Sequence, residues 1–330
     1  MNILVVGGAG YVGSHMVSHL LERGHGVTVL DNYSRGHRDA VQGARPVEAD
    51  LLEPGAVERA FDGADYDAVM HFAALAYVGE SVSKPADYYR NNVAGTLNLL
   101  AAMQRAGVKR LVFSSTCATY GNPVQVPMGE SHPQEPINPY GASKLMVERV
   151  LRDYAHAYGL ASVALRYFNA AGSDPDGHIG ERHDPETHLI PLALLEARRV
   201  LAGGDPASTA LQVFGDDYDT SDGTCIRDYV HVDDLASAHL AAAERMADKT
   251  FSGFSAYNLG IGKGFSVLEV IDSCKRVTGA RIQYRKAPRR AGDPPRLIAD
   301  SQAARRDLGW VPRYTELDPI VATAWRWFSK

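Results

Sequence analysis

Ile3-Leu-Val-Val6 runs straight into Gly7-Gly-Ala-Gly10-Tyr-Val-Gly13, and a stretch of helical character follows at once. A short apolar strand that passes through glycine-spaced turns into a helix is hard to build except as the first βα unit of a parallel sheet. Each glycine has a physical reason. The turn needs a residue without Cβ, the backbone must come close to a bound pyrophosphate, and the helix must pack tightly on the strand. Free N–H groups at the start of that helix then offer an anion site.

The pattern continues. Residues 27–30, 68–72, 110–113 and 162–165 are further short, nearly unbroken apolar runs, as expected for strands covered on both faces. Segments 13–23, 91–106 and 139–158 between them have helical length. The alternation predicts an α/β fold with a doubly wound, Rossmann-like parallel sheet. Residues 1–169 form the expected dinucleotide-binding domain. From Ala170 the chain turns loop-rich, with Gly-Ser-Asp-Pro-Asp-Gly at 172–177 and Gly-Gly-Asp-Pro at 203–206. The remainder, 170–330, is expected as a smaller α+β lobe over the sheet's carboxyl edge. It includes a helix at 265–278 and a strand at 257–259. Residues 226–246 are expected to return to the first domain.

Asp31 closes the second strand, where a carboxylate can accept hydrogen bonds from adenosine ribose hydroxyls, which points to NAD over NADP. Arg35 and Arg38 stand close by. Asp50-Leu51 ends another short run and can meet adenine. Phe72, Ala73 and Ala74 end a strand with small residues that let the backbone approach a cofactor.

Tyr140 and Lys144 are four apart in Asn138-Pro-Tyr-Gly-Ala-Ser-Lys144, so on a helix they share one face. Asn138 is an expected N-cap and Pro139 an expected first helical residue. Val147, Val150, Leu151, Tyr154 and Tyr158 are expected as the buried stripe of the same helix. An ammonium beside a phenol stabilises the phenolate. Bringing a tyrosine from a pKa of about 10 to roughly 7 takes about 4 kcal/mol, and one nearby ammonium supplies about 1–3 units of that shift. The positive nicotinamide is expected to supply the rest. Ser114-Ser-Thr116 follows the strand 110–113, which puts Thr116 at the predicted ligand-binding edge with Tyr140.

Composition excludes several other classes. A formal net charge of -5 lacks the basic surplus of a nucleic-acid binder. The apolar runs are too short to span a bilayer, so no membrane partner is expected. Cys117, Cys225 and Cys274, three in number and widely spaced, suit a reducing cytoplasm. No metal site is expected. Asp217, Asp219 and Asp222-Gly223 put glycine one place too late for a calcium loop. His178, His183 and His188 lack metal-type helical spacing.

Longer motifs sharpen the reading. They include His71-Phe-Ala-Ala, Val78-Gly-Glu-Ser-Val82, Tyr88-Tyr-Arg-Asn-Asn-Val-Ala-Gly-Thr96 and Ser114-Ser-Thr-Cys-Ala-Thr-Tyr-Gly121. Further on stand Leu165-Arg-Tyr-Phe-Asn169, Val213-Phe-Gly-Asp-Asp-Tyr218 and Asp222-Gly-Thr-Cys-Ile-Arg-Asp-Tyr-Val-His-Val232. Together these runs resemble the extended short-chain dehydrogenase/reductase family, and within it the nucleotide-sugar 4-epimerases. The resemblance covers nearly the whole chain.

It implies an enzyme that interconverts UDP-galactose and UDP-glucose through a 4-keto sugar, with NAD as a bound prosthetic group. Tyr140 would take the sugar 4-hydroxyl proton, Thr116 would hydrogen-bond that oxygen, and Lys144 would tune Tyr140 and hold the nicotinamide ribose. Tyr11, Val12, Asn32, Asn91 and Phe168 would join the glycines at 7, 10 and 13 around the cofactor. Asn169, Leu189, Phe214, Arg227, Arg290 and Asp293 would hold the UDP-sugar. For Arg227, an ion pair with Asp222 or Asp228 is the competing reading; for Arg290 it is plain exposure. The resemblance also implies a homodimer, with 91–106 and 139–158 as interface helices.

Some positions depart from the family. Ala76 stands where many members carry a lysine near the cofactor, and His188 where asparagine is frequent. Leu297 occupies the position that gates the sugar pocket, which leaves UDP-GlcNAc acceptance open. A dehydratase would need an acid and a base after the threonine, and Cys117 and Ala118 cannot serve. A UDP-pentose epimerase and an idle NAD-binding regulator are the remaining alternatives.

Overall fold

In the computed structural model, which describes residues 1–248, 250–290 and 293–330, the apolar runs lie side by side as one parallel sheet. Its strands are β1 (Asn2–Val6), β2 (Gly26–Asp31), β3 (Arg45–Glu48), β4 (Ala68–His71), β5 (Arg110–Thr116) and β6 (Ala161–Tyr167), with Phe254–Leu259 as a seventh. Across the sheet the order is Phe254–Leu259, β6, β5, β4, β1, β2, β3. The order reverses between β1 and β4. A crevice opens at the carboxyl ends of strands at such a point, which is where open α/β sheets bind ligands.

Both faces are covered. Helices Tyr11–Glu22 and Val232–Ala247 pack on one, around Met16, Leu20, Leu235 and Ala238. Helices Gly95–Ala106 and Pro139–Tyr158 pack on the other, around Leu99, Met103, Val147 and Leu151. Burial on both sides explains why the strands read as continuous apolar runs and not as alternating ones. A second core gathers Ala193, Val270 and Ile320 from helices Leu189–Leu201, Val267–Thr278 and Leu317–Phe328. Helix Val267–Thr278 opens with a reciprocal capping box between Ser266 and Glu269, which fixes its start.

Three expectations need correction. The strand predicted at 257–259 exists, but it pairs with β6 from Phe254 to Leu259 and completes the main sheet instead of serving the smaller lobe. Earlier in the chain, helix Val232–Ala247, in the stretch expected to return, packs on the sheet, and the second return, by the strand, is the one that left no mark in the local pattern. The short run expected to end at Asp50-Leu51 is strand β3, which stops at Glu48 and, at a largely exposed edge, is the non-apolar sequence Arg-Pro-Val-Glu. The stripe on helix Pro139–Tyr158 holds for Val147 and Leu151, but Val150 and Tyr154 are only half-buried and Tyr158 is 51% exposed. The last turn is closed by Gly159 in a left-handed conformation, and its side chains face solvent.

Candidate active site

The first turn after β1 is built by contact. Gly7 has φ 77°, and a Cβ there would lie 2.3 Å from the Ala73 nitrogen. A Cβ on Gly13 would lie 2.2 Å from the Gly7 carbonyl oxygen. Only glycine allows the β1 turn, the β4 turn and the helix to meet so closely. Gly10 is the N-cap of helix Tyr11–Glu22, yet no side chain caps that helix and no acidic residue stands in its first turn. Its leading N–H groups therefore suit an anion. Tyr11 and Val12 flank this end half-buried, and the Tyr11 hydroxyl donates to the Gly172 carbonyl at 2.6 Å.

Asp31 sits at the end of β2, 8% exposed. One carboxylate oxygen accepts from the Ala9 N–H at 2.9 Å and the other from the Tyr33 N–H at 2.8 Å. Burial pushes its pKa up, and those two N–H groups pull the other way. Each oxygen keeps a lone pair for a ribose hydroxyl. Asn32 donates to Asp50 at 2.9 Å, and Asp50 accepts from the Leu52 N–H at 2.8 Å, which fixes the wall beside buried Leu51. Arg38 pairs with Glu48 and covers the Tyr33 ring at 3.9 Å, while Arg35 donates to the Asp184 carbonyl at 3.0 Å. With both arginines engaged elsewhere and a carboxylate at the ribose position, the cradle fits NAD.

Across the crevice, Phe72 and Ala73 both donate from the backbone to the Val6 carbonyl, at 2.7 and 3.0 Å. Ala74 follows, half-buried. Asn91 lies on a wide turn, Tyr89–Ala94, of the π type. Such turns re-aim side chains within a helix. Asn91 donates to the Asn92 side chain at 2.9 Å.

Helix Pro139–Tyr158 starts at the same edge. The Asn138 side chain accepts from the Gly141 N–H at 2.8 Å, and proline takes the first helical position. A Cβ on Gly141 would lie 2.3 Å from the Ala118 carbonyl, so the helix start presses directly on the short turn Cys117–Thr119 that follows β5. This brings together Thr116 (6% exposed), Tyr140 (9%) and Lys144 (3%). The Lys144 Nζ donates to the Ser114 carbonyl at 2.8 Å and lies 4.7 Å from the Phe113 ring centre.

The electrostatics differ from the sequence expectation. Burial pushes the Tyr140 phenol well above its usual range, the neighbouring Tyr167 adds to that, and the Thr116 hydroxyl opposes it. Burial likewise pushes the Lys144 ammonium down to about 7, against the pull of Glu148. Both groups are desolvated, and desolvation favours the neutral form of each. The protein's own side chains therefore do not make Tyr140 acidic.

On the lobe side, Arg227 is 8% exposed and pairs with Asp293, while its other guanidinium nitrogen donates to the Ile226 carbonyl at 2.8 Å and the Pro294 carbonyl at 2.9 Å. The partners left open on the sequence are otherwise occupied. Asp228 accepts from the N–H groups of Ile261, Gly262 and Ala299, and burial lifts its pKa to about 6. Asp222 holds Thr224 and Ser266. Arg290 is exposed, with its guanidinium 4.0 Å above the Phe214 ring centre. A cleft of about 500 Å³ lies here, walled by Asn122, Tyr218, Arg289, Arg290 and Asp293. Asn169 begins a short strand paired with Tyr229–His231, and Leu189 is the first residue of its helix. Phe168 and Leu297 pack with Tyr120 and Met128 in a small cluster beside Thr116 and Cys117.

Several working residues were not expected. Buried Asn92 binds both the N–H and the carbonyl of Leu75 and also the Ser143 hydroxyl, tying the β4 loop to the Tyr140 helix. The adjacent asparagines 91 and 92 were the available signal. Glu148, one turn beyond Lys144, forms a fully buried two-pronged ion pair with Arg166 and accepts from Ser115 at 2.6 Å. The three histidines that lack metal-type spacing fall into two groups. His183 and His188 converge with Glu181, while His178 lies with Asp174 and Asp176. Burial alone would lower His188, but its bonds to Glu181 and Glu186 outweigh that and lift it to about 10.

A model of the NAD dependent epimerase/dehydratase family matches residues 3–260. The UDP-glucose 4-epimerase of Halalkalibacterium halodurans is 51% identical over 330 residues, covering 100% of this chain and 96% of that protein. A crystal structure of UDP-glucose 4-epimerase from Brucella ovis in complex with NAD is similar at TM-score 0.93 and 50% identity, covering 99% of this chain and 98% of that one. The Bifidobacterium longum UDP-glucose 4-epimerase, solved with NAD+ and UDP, is similar at TM-score 0.90 and 38% identity over 99% and 98% of the two chains.

Proposed function

The chain belongs to the NAD dependent epimerase/dehydratase family, and on that premise we propose how its site works: it interconverts UDP-galactose and UDP-glucose by inverting the sugar at carbon 4. The observation that carries this reading is the meeting of Tyr140, Thr116 and Lys144 at the sheet edge, between the Gly7–Gly13 cradle and the Arg227–Asp293 cleft. Bound NAD supplies the hydride acceptor and donor, together with a positive charge beside the phenol while oxidised.

Tyr140 moves the proton. Its phenolate oxygen takes the proton of the 4-hydroxyl as the 4-keto sugar forms, and gives it back to the same oxygen after the sugar has presented its other face. Thr116, close enough to influence the phenol, holds the 4-oxygen in line. Lys144 spends one of its three donors on the Ser114 carbonyl, leaving two for ribose hydroxyls. Gly7, Gly10, Tyr11, Val12 and Gly13 hold the diphosphate, and Asp31, Asn32, Asp50 and Leu51 the adenosine. Phe72, Ala73, Ala74, Asn91 and Phe168 enclose the nicotinamide end.

Asn169, Leu189, Phe214, Arg227, Arg290 and Asp293 hold the UDP moiety, the arginines through their planar donor forks. This grip lets the sugar rotate while the nucleotide stays fixed. Residues 1–169, with the later returns, carry the cofactor, and the lobe carries the nucleotide. We assign a homodimer through helices Gly95–Ala106 and Pro139–Tyr158, because Leu97, Met146 and Tyr158 stand 40%, 46% and 51% exposed on them. A cytoplasmic setting accords with three unpaired cysteines, and no helix among the described residues is long and apolar enough to cross a membrane.

The test is conversion of UDP-galactose to UDP-glucose without added oxidant or net NADH. Tyr140→Phe should retain NAD and lose about 10²–10⁴-fold in turnover, the usual worth of a positioned acid–base group. A purified chain that carries NAD yet leaves UDP-galactose unchanged would refute the proposal.

A further inference from the structure

The segment from Gly172 to His188 crosses from the lobe back over the cofactor domain. The Arg35 guanidinium reaches the Asp184 carbonyl at 3.0 Å, His37 reaches the Arg182 carbonyl at 3.0 Å, and the Asp174 N–H donates to His15 at 3.1 Å. Trp327, on the last helix, donates to the Glu181 carbonyl at 3.0 Å. The strap thus has fixed points on both sides.

At its centre four side chains turn toward one another. Glu181 is only 4% exposed. Its Oε1 lies 2.9 Å from the His188 Nδ1 and 3.3 Å from the His183 Nε2. The Glu186 Oε1 lies 2.9 Å from the same His188 nitrogen and is held by the N–H groups of Thr187 and His188 at 2.7 and 2.8 Å. A bend at Asp184–Pro185 folds the chain so that the two imidazoles stand 5.1 Å apart. Among the described residues, no lysine or arginine pairs with Glu181.

We propose that Glu181, His183 and His188 bind a divalent transition ion such as zinc, with a fourth position open to water, and so staple the strap. Two imidazole nitrogens and a carboxylate oxygen are donors that zinc takes, and they disfavour magnesium and calcium, which prefer all-oxygen sets. Zinc bonds of about 2.0–2.1 Å place neighbouring tetrahedral donors roughly 3.3 Å apart. The Glu181–His183 contact stands at 3.3 Å, the Glu181–His188 contact is shorter at 2.9 Å, and the three ligand atoms lie within 4.8 Å of one another. The Glu186 Oε1 already accepts from two backbone N–H groups and stays outside the donor set, turned against His188. Half-exposed His188 gives the ion a way in. The ion is structural: it fixes the bend of the strap between Glu181 and His188 and takes no part in the hydride chemistry. The assignment stands independently of the proposed reaction.

The test uses the full chain, stripped with a chelator and titrated with zinc alone by calorimetry, with cobalt(II) as a coloured substitute that reports its ligand field. One saturable zinc per chain is expected, with a rise in melting temperature. His183→Ala and Glu181→Gln should each weaken binding at least about ten-fold. His188→Asn, which keeps a hydrogen-bonding side chain in place, should do the same with the circular dichroism unchanged. Asp174→Asn combined with His178→Ala, at the neighbouring carboxylate–histidine group, should leave the affinity as it is. No saturable binding to the parent chain overturns the proposal, as does full affinity in a His183→Ala, His188→Asn double variant, or loss of affinity only in the Asp174, His178 variant.

Discussion

Replacing Lys144 with methionine should remove the chemistry and, near neutral pH, make the dinucleotide-free chain more stable. The lysine is almost fully buried, and burial lowers its pKa from 10.5 to about 7. A lysine whose folded pKa lies below its unfolded one costs stability wherever the unfolded chain binds the extra proton. That cost is complete below about pH 7 and fades as pH climbs toward 10.5. Integrating the linkage relation over this shift gives roughly 4 kcal/mol at pH 7 and roughly 2 kcal/mol at pH 9. Methionine fills much of the same volume without the charge. It also leaves the Ser114 carbonyl without its donor, a loss of about 1–3 kcal/mol that does not depend on pH.

The pH dependence is therefore the clean observable. His71, also lowered by burial and by Lys144, titrates near 3 and stays silent in this window. Chemical denaturation of the parent and of Lys144→Met, both freed of NAD because a ligand would stabilise the native state by mass action, should show a stability difference that moves by about 2 kcal/mol between pH 7 and pH 9. The variant gains relative to the parent as pH falls. A difference that is flat with pH, or that moves in the opposite direction, would refute the view that this ammonium is held in the protein against its preference.

Gly7→Ala puts a Cβ 2.3 Å from the Ala73 nitrogen in a left-handed turn, so the chain should lose at least about 1–3 kcal/mol of stability and purify without the dinucleotide that heating releases from the parent. Arg227→Met leaves Asp293 unpaired in the cleft and should raise the KM for UDP-galactose at least about ten-fold, the size of a lost charge-assisted contact, with a smaller change in kcat. Glu148→Gln strands the fully buried Arg166 charge and should destabilise by about 3–5 kcal/mol, whereas Glu148→Met combined with Arg166→Met should recover most of that loss. Urea titrations of the three chains decide it.

The parts of the fold that could be read in advance are those where one physical demand leaves few residue choices. Strands buried on both faces must be apolar throughout, so β1, β2, β4, β5 and β6 announce themselves. The β1 turn must lack Cβ atoms because Ala73 and Gly7 leave no space for them. Strand β3 is under no such demand, since its exposed edge tolerates Arg-Pro-Val-Glu. The strand Phe254–Leu259 is legible as a strand, but its partner β6 lies some ninety residues earlier, and only the folded chain reveals that pairing.

The same distinction runs through the candidate site. Tyr140 and Lys144 are joined by helical spacing, which fixes their common face wherever the helix goes. Thr116 follows from its place at the end of a strand. Arg227 and Asp293 are 66 positions apart, and nothing local says that they meet. Glu148 and Arg166 mislead in a different way, because charged residues are read as surface by default. Yet each stands on a buried face: Arg166 follows the apolar run 162–165 within β6, and Glu148 stands beside buried Val147 and Leu151. A charge that interrupts an apolar face needs a partner from another element that does the same. In this chain the two interruptions answer each other, and the pair they form locks the Tyr140 helix to β6, while the bond from Ser115 to Glu148 ties the same helix to β5, the strand that carries Thr116. The placement of the reacting groups thus rests on a contact whose two halves are each anomalous in the sequence and become intelligible only together.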